Sequence, residues 1–206
     1  IVSGTLGDTA YLILEYIEAG SIGRSFWRDF GQSLSQVHRN TALRFGLDHD
    51  NYIGSLAQYN QHNDSAARFY IEQRLEPQFQ LARNSGYHFG SLSGFYKHVE
   101  DLIPEQPPAL VHGDLWSGNY MVGSGGKPVL IDPAVSYAPR EMDLAMMELF
   151  GGFSAEVFSS YAEHYPLDEG YRERLPLWQL YYLLVHLNLF GSGYLGRVNS
   201  VIEQYC

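Results

Sequence analysis

One segment, residues 110–132, constrains the fold of this chain more than any other. It reads LVHGDLWSGNYMVGSGGKPVLID. An apolar pair opens the segment, residues 129–131 form a second apolar run near its end, and a glycine-rich turn lies between them. Short apolar runs bounded by glycine and polar residues predict strands joined by loops. This strand–loop–strand unit is expected to bring Asp114, Asn119 and Asp132 together.

These three polar side chains meet the needs of phosphoryl transfer. That reaction uses one carboxylate to orient the attacking hydroxyl, and an amide and a second carboxylate to hold Mg²⁺. Asn119 follows Asp114 by five positions, which is the spacing of the Asp and Asn in a kinase catalytic loop. We therefore predict Asp114 as the catalytic base, and Asn119 and Asp132 as the metal ligands. Taken singly, each residue would more often cap a turn or close a strand.

Three neighbouring residues are predicted to support this site. Trp116 lies between the acid and the amide, where an aromatic ring can stack on a sugar or, with equal weight, pack into the protein. His112 is expected to hold the loop by hydrogen bonds and not to act as a base. Asp143, further along the chain, is expected to brace the loop from below.

Composition excludes several classes of function. The chain has 206 residues, a hydrophobic fraction of 45% and a formal net charge of −10, which indicates a globular protein that repels nucleic acid. No apolar run approaches the length of about 18 residues that a membrane span needs. The single cysteine, Cys206, cannot form an internal disulfide. A reducing, cytoplasmic location is expected.

The N-terminal region contains a candidate nucleotide contact. Residues 10–17 read AYLILEYI, which predicts a buried strand. In a kinase this would be the last strand of the small lobe, and the backbone of Glu15, Tyr16 and Ile17 would then form the hinge that meets adenine. A core strand without a ligand is an equally good interpretation of this stretch alone.

Helical periodicity follows over most of the remaining chain. The apolar spacing predicts helices within residues 25–43, 64–84, 91–103, 142–150, 154–165 and 171–190, with a kink at Pro77. Residues 45–60 show weak periodicity and are predicted to form a long loop. The helix over 171–190 is apolar all round, so it is predicted to be buried, with His186 as a core histidine.

At these residues the chain also resembles a known family. HGDLWSGN at 112–119 resembles the catalytic loop of the fructosamine (ketosamine) kinases, within the aminoglycoside phosphotransferase-like superfamily. Residues 131–152 and 45–60 resemble further blocks of that family. The resemblance runs from about Tyr11 to the C-terminus.

The resemblance implies an α+β, mostly helical fold: a protein-kinase-like large lobe with a small β-hairpin layer at the active site. It implies a last small-lobe strand and hinge over 1–20 and a large lobe over 21–206. The implied activity is ATP- and Mg²⁺-dependent phosphorylation of the 3-hydroxyl of a ketosamine, on a glycated amine or protein, with deglycation as the consequence. Asp114 would be the base, Asn119 and Asp132 the metal ligands, and Trp116 the sugar contact.

One part of a kinase is missing from the pattern. The residues before the predicted hinge have no room for a phosphate-binding glycine loop, a strand lysine and its paired helix glutamate. We therefore expect a small lobe to precede Ile1, and little kinase activity from this chain alone. Two alternatives remain: a kinase for another hydroxylated amine, of aminoglycoside or choline type, and a non-catalytic pseudokinase or binding module.

Overall fold

The computed structural model describes residues 1–206 as an α+β protein in which helices predominate, as predicted. Its helices are α1 (Phe26–His38), α2 (Ala66–Phe69), α3 (Glu76–Asn84), α4 (Ser93–Leu102), α5 (Glu141–Phe150), α6 (Ala155–His164), α7 (Tyr171–Phe190) and α8 (Leu195–Gln204). Its strands are β1 (Val2–Leu6), β2 (Thr9–Ile13), β3 (Asn51–Ile53), β4 (Leu56–Gln58), β5 (Ala109–Val111), β6 (Tyr120–Val122), β7 (Pro128–Leu130) and β8 (Ser136–Ala138).

Helix α7 is the centre of the main core, and its predicted bounds and burial are confirmed. Apolar residues occupy every face of this helix, so it can be buried on all sides only if other helices surround it. Helices α3, α5 and α8 pack against it. Trp178 is fully buried, and its indole N–H donates to the Glu141 carboxylate of α5 at 2.7 Å. That bond ties α5, which follows the candidate site, to the core.

A second, smaller core lies between α1 and α6 and includes the candidate catalytic loop. Phe30 and Leu34 of α1 and Val157 and Tyr161 of α6 are buried in it together with Leu115. Because Leu115 directly follows Asp114, its burial anchors the loop on the body of the protein.

The predicted kink at Pro77 takes the form of a π-helical turn. Residues Tyr70–Leu75 join α2 to α3, and the Glu76 N–H bonds to the carbonyl of Ile71, five residues earlier. Proline lacks an N–H donor and crowds the preceding turn, so local widening of the helix lets the chain continue past Pro77.

The strands form four separate antiparallel pairs: β1 with β2, β3 with β4, β5 with β8, and β6 with β7. Two of them frame the candidate site. Ala109 pairs with Ala138 in one, and Tyr120 pairs with Leu130 in the other. The predicted small β layer at residues 110–132 is therefore present, with the glycine-rich turn closing the β6–β7 hairpin.

Two predictions about the first sixty residues are wrong. The strand predicted over 10–17 is not buried: β2 ends at Ile13 and is exposed along its whole length, because only β1 pairs with it and no layer covers the hairpin. Residues 45–60 are not an irregular loop but contain the β3–β4 hairpin. Its three-residue strands are too short for the periodicity of the sequence to reveal.

The β3–β4 hairpin is fastened to the segment that follows Asp132. The Asn51 amide donates to the Val135 carbonyl at 2.8 Å, and the Gln58 amide donates to the Ala134 carbonyl at 3.0 Å. Buried Arg74 links the chain just after the hairpin to the same segment, because it donates to the Asn60 side-chain oxygen at 2.9 Å and to the Ser136 hydroxyl at 3.0 Å. These bonds place the hairpin beside the candidate site.

Candidate active site

Asp114 lies in the loop between β5 and β6. This loop turns sharply at Gly113, whose φ of +82° lies in the left-handed region. A Cβ at that position would lie 2.1 Å from the Ala134 carbonyl oxygen, so a larger residue would separate the loop from the segment after β7.

The buried carboxylate of Asp143, near the start of α5, holds the base of this loop. It accepts hydrogen bonds from the backbone N–H groups of His112 at 2.7 Å and Gly113 at 2.8 Å. His38 of α1 contacts the same carboxylate through Nε2 at 3.0 Å. Burial alone would raise the pKa of Asp143, but the bond and charge of His38 outweigh it, and the pKa is lowered. The loop therefore rests on an ionised carboxylate.

The side chain of His112 is tied up by two backbone groups. Its Nε2 lies 2.9 Å from the Ile131 carbonyl, which can only accept, so Nε2 carries a proton. Its Nδ1 accepts the N–H of Asp114 at 3.3 Å. Both ring nitrogens are therefore engaged by the backbone, and neither is left over for proton transfer.

Asn119 connects the two predicted acids. Its Nδ2 donates to the Asp114 carboxylate at 3.1 Å, to the Asp114 carbonyl at 2.8 Å and to the Asp132 carbonyl at 3.4 Å. Burial raises the pKa of Asp114, and the hydrogen bond from Asn119 opposes this shift. The side-chain oxygen of Asn119 makes no hydrogen bond within the protein and stays free for a ligand.

Asp132 has a backbone conformation unlike that of any other non-glycine residue in the chain. Its φ is +52°, in the left-handed region, and its side chain is exposed. Non-glycine residues held in this region often belong to functional sites. No residue forms a salt bridge with its carboxylate, so those oxygens and the free Asn119 oxygen make a set of hard donors that suits Mg²⁺.

The predicted hinge residues line a cleft of about 530 Å³. Glu15, Tyr16 and Ile17 form one wall, and Lys127 and Val129 of the β6–β7 hairpin contribute to the other. A hydrogen bond of 2.7 Å from the Gly20 N–H to the Val122 carbonyl joins the two sides. The cleft thus adjoins the hairpin whose first strand follows Asn119 and whose second strand leads to Asp132.

Asp114 and Trp116 line a second cavity of about 500 Å³, which shares no lining residue with the cleft. Trp116 is 43% exposed and its ring lies over Gly118, where a Cβ would come within 2.3 Å of it. The structure therefore places Trp116 at the cavity wall and not in a core.

Sequence reasoning missed most of this second cavity. His186 is half-buried and lines it, so the prediction of a core histidine is wrong. Aromatic residues around it come from the ends of α5 and α7 and from the segment before α8, a helix that was not predicted. The remaining lining residues are Ile53, Gly54, Met146, Phe150, Val185, Leu189, Phe190 and Tyr194. No periodicity marks residues that meet only where separate elements end.

Comparison with known proteins decides the family. The whole chain, residues 1–206, matches the fructosamine kinase family. The chain belongs to this family of kinases. The "Probable ketoamine kinase" of Enterococcus faecium is 40% identical over 98% of this chain and 74% of its own length. The "Protein-ribulosamine 3-kinase, chloroplastic" of Arabidopsis thaliana is 36% identical over 95% of this chain and 62% of its own length.

A solved structure shares the fold of this fructosamine kinase family member. The crystal structure of a "putative fructosamine-3-kinase" from Thermobifida fusca superposes with a TM-score of 0.81 at 35% identity, covering 93% of this chain and 68% of that one. The predicted fold class, a kinase-like α+β fold, is confirmed. The alignments give no support to the expected small lobe before Ile1, which stays a prediction. No helix is long and apolar enough to cross a membrane.

Proposed function

We propose that this protein transfers the terminal phosphoryl group of ATP to the 3-hydroxyl of a ketosamine, on a glycated amine or protein. Family membership supports the reaction class and the use of ATP. The contact that carries the assignment of roles is the one between Asn119 and Asp114, since it joins the acid at the acceptor cavity to the amide and carboxylate at the hairpin.

In this proposal Asp114 orients the attacking hydroxyl and receives its proton. The O3–H bond breaks, a bond forms between O3 and the γ-phosphorus, and the bond from that phosphorus to the bridging oxygen of ADP breaks. The pKa of Asp114 is raised towards physiological pH. A carboxylate with a higher pKa is a stronger base and so accepts the proton of the hydroxyl more readily.

Asn119 and Asp132 would hold Mg²⁺ through their free oxygens. When bound, this ion would neutralise the charge that develops on the phosphate oxygens. The hydrogen bonds from Asn119 fix its amide plane, so that its side-chain oxygen faces away from Asp114. The same bonds keep the Asp114 carboxylate aimed at the acceptor cavity.

The cleft beside Glu15, Tyr16 and Ile17 is the proposed site for adenine, and Trp116 the proposed contact for the sugar. Phosphorylation at O3 would make the ketosamine unstable, so that it releases the amine. We place this deglycation in the cytoplasm. Kinases for choline or aminoglycosides are not favoured, because the two relatives named above carry the names of a ketoamine kinase and a ribulosamine kinase.

A panel of substrates, measured with the wild-type protein and with Asp114→Asn, tests the proposal. Formation of ADP is followed with a ketosamine, an aminoglycoside and choline, and ³¹P NMR locates the new phosphate ester. We expect turnover with the ketosamine only, and its loss by at least about a hundredfold in Asp114→Asn, since general base catalysis contributes roughly that much. Equal turnover by the two proteins would remove Asp114 from the mechanism.

A further inference from the structure

We propose that His186 binds the ammonium group of the substrate, accepting a hydrogen bond from it within the aromatic cavity beside Asp114. This inference rests on the proposed function, because it concerns the acceptor of the same reaction. It assigns a binding role to a residue on α7, far along the chain from the catalytic loop.

The hydrogen bonding of His186 leaves one nitrogen for a ligand. Nδ1 lies 2.8 Å from the carbonyl of Tyr182, one turn earlier on α7. A carbonyl can only accept, so Nδ1 carries the proton and Nε2 has a free lone pair when the ring is neutral. Burial lowers the pKa of His186 and outweighs the opposing effects of the Tyr182 bond and the Asp114 charge, so the neutral ring is favoured at physiological pH. Nε2 makes no hydrogen bond within the protein.

Three aromatic side chains fix the orientation of this imidazole. The ring centroids of Phe150, Phe190 and Tyr194 lie 4.6, 5.3 and 5.1 Å from that of His186. The three residues come from α5, the end of α7 and the segment before α8. An imidazole packed among rings from three elements is held in place before the ligand arrives, so little ordering is needed on binding.

The charge of the cavity favours a cation. Asp114 is its one charged lining residue, and neither lysine nor arginine lines it. Aromatic faces, here including Trp116, attract cations through their quadrupole when these approach within about 6 Å. An anionic acceptor, such as a sugar phosphate, would meet the Asp114 carboxylate without a compensating positive group. The cavity is therefore suited to an acceptor that carries a positive charge close to the reacting hydroxyl.

A ketosamine carries its charge at that place. Its nitrogen is attached to carbon 1 and the reacting hydroxyl to carbon 3, and this amine is protonated at neutral pH. With the hydroxyl at Asp114, the ammonium lies within the same cavity. Asp114 and His186 both line this one cavity of about 500 Å³. One small acceptor can thus contact both residues.

A pair of substrates that differ in one atom tests this assignment. The first is 1-deoxy-1-propylaminofructose, and the second is 1-O-propylfructose, in which a neutral ether oxygen replaces the ammonium. Both are measured with the wild-type protein and with two variants. His186→Phe keeps a ring but removes the hydrogen-bond acceptor, and His186→Gln keeps an acceptor. His88→Phe, at an exposed histidine that does not line the cavity, is the matched control.

We expect His186→Phe to raise KM for the amine by about tenfold to a hundredfold, the range for a lost hydrogen bond to a charged group. KM for the ether should stay within about twofold by the same reasoning. His186→Gln should recover part of the loss, and His88→Phe should change neither value. Equal effects of His186→Phe on both substrates, or no effect on either, would overturn the proposal.

A measurement on the wild-type protein decides the matter even if His186→Phe fails to fold. The ¹⁵N shift of His186 Nε2 is followed by NMR while each compound is titrated without ATP. The amine should move it toward the value of a hydrogen-bonded nitrogen and the ether should not; identical responses count against the assignment. Selective binding of the amine without phosphorylation would refute the proposed function and leave the role of His186 intact, whereas phosphorylation of both substrates with equal KM would do the reverse.

Discussion

Asp143 and Gly113 are thirty positions apart in the chain and are joined by a hydrogen bond of 2.8 Å from the Gly113 N–H to the Asp143 carboxylate. The same carboxylate accepts from His112 and contacts His38. Helices α1 and α5 therefore meet at the base of the loop that presents Asp114. The position of the proposed base depends on a residue that would itself take no part in the reaction.

We expect Asp143→Asn to destabilise the protein by about 1.5–3 kcal/mol, since two backbone N–H groups and a histidine lose a charged acceptor in a buried site. Activity should fall further than the loss of folded protein explains, because the loop would no longer be held in one position. Urea unfolding and kcat at a temperature where both proteins are folded are the measurements. Unchanged kcat would show that the loop keeps its position without Asp143.

The lowered pKa of Asp143 has a consequence for acid stability. A carboxyl whose pKa is lower in the folded state contributes stability that is complete above its ordinary pKa of 3.8 and is lost as the pH falls through the folded value. The free energy of unfolding should therefore decline below about pH 4, and the Asp143→Asn variant should show a shallower decline. Denaturant titrations between pH 3 and 7 provide the data, and parallel curves for the two proteins would contradict the expectation.

Asn119→Ala removes the amide that joins the two acids. We expect kcat to fall by about tenfold to a hundredfold and the Mg²⁺ concentration for half-maximal rate to rise, because loss of a group that orients a metal site costs about that much in metal affinity or activity. Asn84→Ala, at an exposed position at the end of α3, is the control. A rate loss with unchanged Mg²⁺ dependence would mean that Asn119 orients Asp114 and holds no metal.

Gly118→Ala should displace Trp116 from the cavity wall, because the added Cβ would come within 2.3 Å of the indole ring. We expect a shift in tryptophan fluorescence and a rise in KM for the ketosamine with little change in the midpoint of thermal unfolding. Gly90→Ala, where a Cβ meets nothing within 4 Å, should leave both quantities unchanged. If KM stays constant while the fluorescence moves, Trp116 does not contact the substrate.

The sequence predicted the elements whose signals are local. The apolar residues on every face of α7 indicated its burial, and the glycine-rich turn between two apolar runs indicated the β6–β7 hairpin. The spacing of Asp114 and Asn119 indicated a phosphoryl-transfer site in the loop between two strands. Each of these signals lies within one turn, one helix or one loop, where the neighbours of a residue are set by the chain itself.

The wrong predictions concern features that depend on contacts between distant parts of the chain. The run at residues 10–13 is as apolar as a core strand, yet it is exposed, because burial depends on whether a second layer covers it. His186 lies in an apolar stretch of sequence, as a core histidine would. It nevertheless lines a cavity, which forms between the ends of α5 and α7 and the segment before α8. Neither outcome is a property of the local sequence.

By itself, then, the sequence determined the kind of chemistry, through an acid, an amide and a second acid at defined spacing around two short strands. The tertiary structure alone decided which side chains support and surround that chemistry. Asp143 and His38 reach the loop, and His186 reaches the acceptor cavity, only because separate helices pack against one core. This packing depends on how well the surfaces of separate helices fit together. The spacing of residues within one segment does not determine that fit.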